Sequence, residues 1–307
     1  MKPEKRSLTG VLLLDKPLGI SSNGALGRAK FLFHAEKAGH TGTLDPLASG
    51  LLPVCFGEAT KFAGFMLNAD KTYETTVRLG RTTTTGDREG DVLTDSPVNV
   101  TEEAVQEVLR RFIGRISQTP PMYSAIKLQG QPLYKLARQS IEIPRESRTI
   151  EIRELTLLDY CSPFLKLRVV CSKGTYIRVL AQDIGQALGC GGGMLEELRR
   201  TGTGEFLIRD AVTLETLQES LLEARDGLLI SPDQLVSYLP RIDLPGGLAD
   251  AVMQGRIVPA DFNLREGIHR AYNERDEFLG LVDVASGNIR ARRMMAKPFQ
   301  ICRTDLA

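Results

Sequence analysis

No regular element can run unbroken through Ala38-Gly-His-Thr-Gly-Thr-Leu-Asp-Pro-Leu-Ala-Ser-Gly-Leu-Leu-Pro53. Pro46 lacks an amide donor and fixes its own φ. Gly39, Gly42 and Gly50 admit backbone angles and close approaches that other residues resist. The stretch therefore reads as a shaped loop around one acid, Asp45, with His40 shortly before it. Such a loop can hold a short carboxylate rigidly against a ligand. Asp-Pro is also a common helix start, with Asp as N-cap and Pro in the first turn. A helix start does not require the whole run.

Around this loop the periodicities alternate between strand and helix. Gly10 to Leu14 reads as a buried strand, and Ser21 or Ser22 offers an N-cap for a helix burying Ala25, Leu26, Ala29, Leu32 and Phe33. Ala59, Phe62, Ala63 and Met66 predict a helix after Gly57, and the β-branched run Thr72–Leu79 predicts a strand with Tyr73 at its start. Residues 80–95 read as a mobile polar loop. An amphipathic helix follows Thr101, turning Val105, Val108, Leu109 and Phe112 inward. Strands are expected over 149–158 and 165–171, then a helix over 179–188 and another carrying Leu214, Leu217, Leu221 and Leu222.

Charge matters here by its distribution. The formal total of +1 argues neither for nor against a polyanionic partner. Residues 124–153, however, set Lys127, Lys135, Arg138, Arg145, Arg148 and Arg153 against three glutamates, whereas 210–260 holds three arginines against eight acids. A basic strip interleaved with Tyr123 and Tyr134 suits phosphate neutralisation with stacking on unpaired bases. Five scattered cysteines without C-x-x-C spacing and only three histidines offer no zinc pattern and fit reduced thiols. The apolar run Val11–Leu14 is too short for a signal peptide or a span, so a soluble, cytoplasmic protein is expected. Ser172-Lys-Gly-Thr lacks the leading glycine spacing of a phosphate loop, so nucleotide binding is not expected.

The run from His40 to Pro53 closely resembles the "GHTGxLDPxAxGxLP" motif of the TruB family of tRNA pseudouridine synthases, in which the Asp is the nucleophile. Asp15-Lys-Pro-Leu-Gly-Ile-Ser-Ser22 resembles the Lys-Pro turn of that family, Lys71-Thr-Tyr73 its base-stacking tyrosine motif, and Ser172-Lys-Gly-Thr-Tyr-Ile-Arg178 its "SKGTYIR" motif. Residues 119–138 resemble the RNA-gripping thumb. Gly189-Cys-Gly-Gly-Gly-Met-Leu-Glu-Glu-Leu-Arg-Arg200 resembles "GCGAHLxxLRR" but lacks its His near Met194 and has one extra residue before Leu198.

The resemblance implies an α+β fold: a catalytic domain over 1–238 around a largely antiparallel mixed sheet, with a thumb insertion near 122–150, and a PUA-like β-barrel over 239–307. It implies isomerisation of uridine 55 to pseudouridine in the tRNA T-loop by a monomer needing no metal or cofactor. Asp45, Tyr73 and Arg178 are then the catalytic group, with Arg178 favouring the ionised Asp45 carboxylate. Tyr73 stacks on the base, His40 takes space in the RNA loop, Tyr176 and Leu198 line the pocket, and Lys16 is available to a phosphate.

The reaction breaks C1′–N1, turns the base, joins C1′ to C5 and releases the C5 proton. It needs an ionised nucleophile, an extruded base and a means of retaining the detached base. The residues leave attack at C6 or at C1′ open. A non-catalytic tRNA-binding or folding protein is the alternative. A retaining glycosidase would need a second carboxyl about 5 Å from Asp45, and nothing in the sequence places one there.

Overall fold

The computed structural model describes residues 4–300, apart from 125, 129, 138, 140, 262 and 263. Its centre is a ten-stranded mixed sheet. The strands run in the order Val212–Thr213, Gly10–Lys16, Ala48–Phe56, Gly193–Thr203, Lys71–Leu79, Phe164–Cys171, Arg148–Cys161, Gly114–Gln118. Ala38–His40 and Phe206–Leu207 pair beside this path. Two of its pairings are parallel, Gly10–Lys16 with Val212–Thr213 and Ala48–Phe56 with Gly193–Thr203, and the rest are antiparallel. This is the largely antiparallel α+β sheet that the family resemblance implied.

Strands Gly10–Lys16 and Ala48–Phe56 are buried on both faces, which is why they read as continuous apolar runs rather than alternating ones. Leu12, Leu14, Leu52, Val54 and Phe56 pack under the helix Ser22–Leu32 through Ala25 and Ala29. Val11, Leu13, Leu51 and Cys55 instead join Phe62, Tyr272, Phe278 and Leu281 on the opposite face. That second layer belongs to a five-stranded sheet ordered Arg241–Asp243, Gly267–Tyr272, Glu277–Ala285, Asn288–Gln300, Val258–Pro259, with the helix Gly246–Met253. Polar contacts reinforce the junction: the Tyr272 hydroxyl donates to Asp233 Oδ2 at 2.7 Å, and Lys61 Nζ donates to the Met294 carbonyl at 3.0 Å. At the other end of the large sheet, Val105 and Leu109 of the helix Glu102–Arg111 and Leu180 and Ile184 of the helix Ile177–Ala187 share a core with Val77, Leu165 and Val169.

Several elements differ from the sequence reading for local reasons. The stretch after Gly57 is a 3-10 turn, Gly57–Lys61, followed by a short helix, Ala63–Met66. The helix around Leu217 is two pieces, Leu214–Glu219 and Leu222–Asp226, and Leu221 between them is exposed. Residues 80–95 form a hairpin, Arg81–Thr83 with Val92–Asp95, whose tip turns inward to bury Asp87. In the stretch that resembles the thumb, a small hairpin precedes the helix Leu133–Ala137. Arg138, the side chain of Lys127 and Cys302 lie outside the described residues. No helix among the described residues is long and apolar enough to cross a membrane.

The extra residue before Leu198 is taken up by the sheet. Leu195 pairs with Val77 and Glu197 with Thr76, so Glu196 forms a bulge, and Leu198 keeps its place opposite Thr75. Met194, where the family motif has its His nearby, is buried in the same strand.

Candidate active site

Asp45 does not cap a helix. Pro46 and Leu47 complete a turn closed by the Ala48 amide donating to the Asp45 carbonyl at 3.1 Å, and the chain enters strand Ala48–Phe56 directly. The loop is tied down on both sides of the acid. The Ser22 hydroxyl accepts from the Leu44 amide at 2.7 Å and donates to the Leu44 carbonyl at 2.9 Å. The Gly19 amide donates to the Pro46 carbonyl at 2.9 Å. Leu44 and Leu47 are buried, whereas the Asp45 side chain keeps 45% of its surface exposed. Two apolar neighbours anchor the backbone and leave the carboxylate facing outward. The Lys-Pro turn thus serves the site by holding the loop that carries Asp45.

Arg178 meets that carboxylate from the first turn of helix Ile177–Ala187, with Nη2 at 3.0 Å from Asp45 Oδ2. The helix start is itself fixed by Gln118, whose side chain accepts from the Tyr176 amide at 2.8 Å and donates to the Tyr176 carbonyl at 3.1 Å. Arg178 is only 6% exposed and both its terminal nitrogens are engaged. Nη1 donates to the Thr85 carbonyl at 2.9 Å and lies 3.7 Å from Asp87 Oδ2; Nη2 also donates to the Tyr123 carbonyl at 2.7 Å. A planar fork with several fixed donors can satisfy such a set where a single ammonium cannot. Asp87 is in turn held by the Thr85 hydroxyl at 2.5 Å and the Glu89 amide at 3.1 Å. One carboxylate is buried behind the arginine, and the other is offered to the pocket.

That pocket, about 170 Å³, is lined by Thr43, Leu44, Asp45, Tyr73, Ser124, Thr175, Tyr176, Ile177, Arg178 and Leu198. Of the residues expected from sequence, Asp45, Tyr73, Tyr176, Arg178 and Leu198 therefore come together. Burial raises the Tyr73 hydroxyl's pKa, and the nearby Arg200 opposes that rise. Burial likewise raises that of Tyr176. His40 stands at the loop base outside the lining, where its Nδ1 accepts from the Gly42 amide at 3.3 Å. Burial, then the Arg200 charge, lowers its pKa, so the neutral ring is favoured.

Lys16 is a correction. Its side chain is fully buried and its ammonium donates to the Pro17 and Ile20 carbonyls at 2.9 and 2.7 Å, so it is not available to an RNA phosphate. Burial lowers its pKa to about 8, opposed first by Asp45, and burial brings Lys71 to about 8 as well. A lysine with a lowered folded pKa binds fewer protons than the unfolded chain between about 8 and its ordinary 10.5. Its burial penalty, complete below that window, is relieved as pH rises through it. Replacing Lys16 by Met should therefore flatten the rise in unfolding free energy between pH 7.5 and 10 by on the order of 1–3 kcal/mol, measured by urea titration. An unchanged slope would contradict the assignment.

Two residues of the site escaped the sequence reading. Asp87 sat in a stretch read as polar loop; the Thr85-Gly-Asp87 turn was the available signal. Arg200 is 2% exposed and lies two residues after Leu198 on one strand, hence on the same side. Recognising 193–203 as a strand would have exposed a charge at an inward position. Gly50 lies opposite Arg200 with φ +103°, and a Cβ there would stand 2.3 Å from the Arg200 carbonyl oxygen. Gly50→Ala should cost about 3 kcal/mol or more in thermal unfolding, since neither backbone angle nor space accepts it.

Matches to known proteins cover almost the whole chain. Residues 30–177 match the TruB family pseudouridylate synthase N-terminal domain, 178–243 the tRNA pseudouridylate synthase B C-terminal domain, and 240–295 the pseudouridine synthase II TruB C-terminal region. A protein of Azoarcus sp. (strain BH72) named tRNA pseudouridine synthase B is 52% identical over 295 residues, spanning 96% of this chain and 97% of its own. The chain belongs to the TruB family. A similarly named protein of Thiobacillus denitrificans is 48% identical over 296 residues, spanning 96% of this chain and 99% of its own. Among solved structures, the Cbf5 complex with Nop10 and Gar1 contains a chain with a TM-score of 0.72 and 28% identity, over 95% of this chain and 85% of that one. An H/ACA ribonucleoprotein bound to a substrate RNA containing 2′-deoxyuridine gives 0.70 and 25%, over 93% and 84%. Membership of the TruB family makes the chain a pseudouridine synthase, an isomerase acting on tRNA.

Proposed function

We propose that this chain isomerises uridine 55 in the T-loop of tRNA, with Asp45 as nucleophile. The observation that carries the reading is the half-exposed Asp45 carboxylate, held at 3.0 Å by a buried Arg178 at the wall of a pocket that Tyr73 also lines. A pocket of about 170 Å³ suits one extruded base rather than a stacked pair. Relatives that align over nearly their whole length carry the name tRNA pseudouridine synthase B, which supports tRNA as the substrate.

In this reading the uridine leaves its stack and enters beside Tyr73, whose ring restrains it while Tyr176 and Leu198 close the sides. Asp45 attacks either C6 of the base or C1′ of the sugar. After C1′–N1 breaks, the walls keep the base in place until C5 joins C1′; the bond to Asp45 breaks and returns its carboxylate, and the C5 proton departs by way of the Tyr73 hydroxyl. Arg178 aims Asp45 and balances its charge. The catalytic module spans 1–238, with its thumb near 122–150 and Lys135 and Arg148 facing the RNA. Residues 239–307 form a PUA-like RNA-binding module. His40 fills space within the loop vacated by the extruded nucleotide. The protein acts as a monomer in the cytoplasm, where its tRNA is.

The position is tested with tRNA tritiated at uracil C5, comparing the natural sequence with a tRNA carrying cytidine at 55. Release of one tritium per tRNA from the first and none from the second is expected. Equal release from both would overturn the assignment of the site.

A further inference from the structure

Besides Arg178, three cations among the described residues are buried next to the pocket and donate to backbone carbonyls: Lys16, Lys71 and Arg200. They oppose one another, since the Arg200 charge disfavours the protonated form of both lysines. Buried like charges do not arise from packing alone, and a buried cation without a carboxylate partner is a poor source of stability. Arg200 is the best placed of the three. Its Nε donates to the Leu51 carbonyl at 2.7 Å and its Nη2 to the Gly42 carbonyl at 3.2 Å. Its own position on the strand is directly opposite Tyr73 on one side and Gly50 on the other. One side chain therefore reaches the strand leaving the Asp45 loop and the turn entering it, from a backbone position paired with Tyr73.

We propose that Arg200 is a positioning residue for the isomerisation: its fork sets the Asp45 loop relative to Tyr73, the residue paired with it across the strands, and its charge acts on the Tyr73 hydroxyl. The inference rests on the reading of Asp45 and Tyr73 given above and extends it to a residue outside the pocket lining. Arg200 touches no substrate. It acts through the Gly42 and Leu51 carbonyls and through the electrostatic environment of Tyr73. Among the described residues, the charges that act on the Tyr73 hydroxyl are those of Arg200, Cys171 and Asp45, and of these Arg200, through its charge and a hydrogen bond, favours the ionised phenol. Removing its charge therefore moves the Tyr73 titration to higher pH.

The test uses the full-length protein and whole tRNA, with Arg200→Lys and Arg200→Met. Tritium release by the wild type is measured first, because its absence would strike the functional reading and not this one. For Arg200→Met, kcat should fall about 100-fold with tRNA KM within threefold, and the Tyr73 signal in a tyrosine-labelled NMR titration, assigned with Tyr73→Phe, should move to higher pH. Arg200→Lys should keep the Tyr73 titration near that of the wild type but lose about tenfold in kcat, since an ammonium cannot reproduce the fork. Thermal unfolding and tRNA affinity establish folding. If the neutral variant does not fold, the lysine variant decides alone. Wild-type kcat in Arg200→Lys, or an unmoved Tyr73 titration in a folded Arg200→Met, would overturn the proposal.

Discussion

Asp45→Asn should abolish turnover, with kcat down roughly 10⁴-fold or more, while tRNA binds within a few-fold of the wild type. The geometry makes the split between chemistry and binding sharp. Asparagine matches aspartate in size and its amide oxygen can still accept from Arg178, so the loop anchors at Ser22 and Gly19 should hold. What disappears is the negative charge and the nucleophilic oxygen. Because Asp45 is half-exposed and the buried Arg178 keeps Asp87 and the Thr85 and Tyr123 carbonyls, unfolding should change by only about 1 kcal/mol. Comparable losses in binding and turnover would instead mark Asp45 as an RNA contact. The two measurements together separate the roles.

Arg178→Met should produce the second large effect, and here stability and activity fall together. The guanidinium contacts Asp45, Asp87 and the carbonyls of Thr85 and Tyr123. Its loss leaves Asp87, which is nearly buried, with only the Thr85 hydroxyl and the Glu89 amide. Removing one partner of a buried pair commonly costs 3–5 kcal/mol; the remaining hydrogen bonds place this case at about 3. Asp45 loses the group that aims it, so kcat should drop by roughly 10³ even in molecules that remain folded. Urea unfolding at neutral pH reads the first quantity and single-turnover tritium release below the unfolding midpoint the second. Arg178→Lys should recover little of either, since one ammonium cannot serve acceptors on opposite sides. A fully active, fully stable lysine variant would contradict the account of the fork.

The site was legible in the sequence wherever a short run of residues carried it. The Asp45 loop announces itself because glycine and proline leave so few backbone alternatives, and the strand Gly10–Lys16 because an unbroken apolar run requires burial on both faces. Tyr73, Tyr176 and Arg178 follow from their motifs, and the structure brings them to one pocket with Asp45. What local patterns could not supply was the direction a charge faces. Lys16 looked available to a phosphate because nothing near it in sequence shows that the Pro17 and Ile20 carbonyls enclose its ammonium. Asp87 and Arg200 were passed over for the same reason. Their neighbours in space, Arg178 for one and Gly42 and Leu51 for the other, come from a distant helix, loop and strand. A polar residue at an inward strand position is the clue that remains in such cases, and it becomes readable only once the strand is recognised. Residues 193–203, crowded with glycine and charge, hid theirs behind a bulge at Glu196.

The most direct measurement is tritium release under single-turnover conditions from T-loop RNA labelled at uracil C5, comparing the wild type with Asp45→Asn. The account predicts stoichiometric release by the wild type and none above background by the variant, with both binding the RNA. Release by both proteins would remove Asp45 from the chemistry. Binding without release by either would mean that this chain holds or folds tRNA rather than isomerising it.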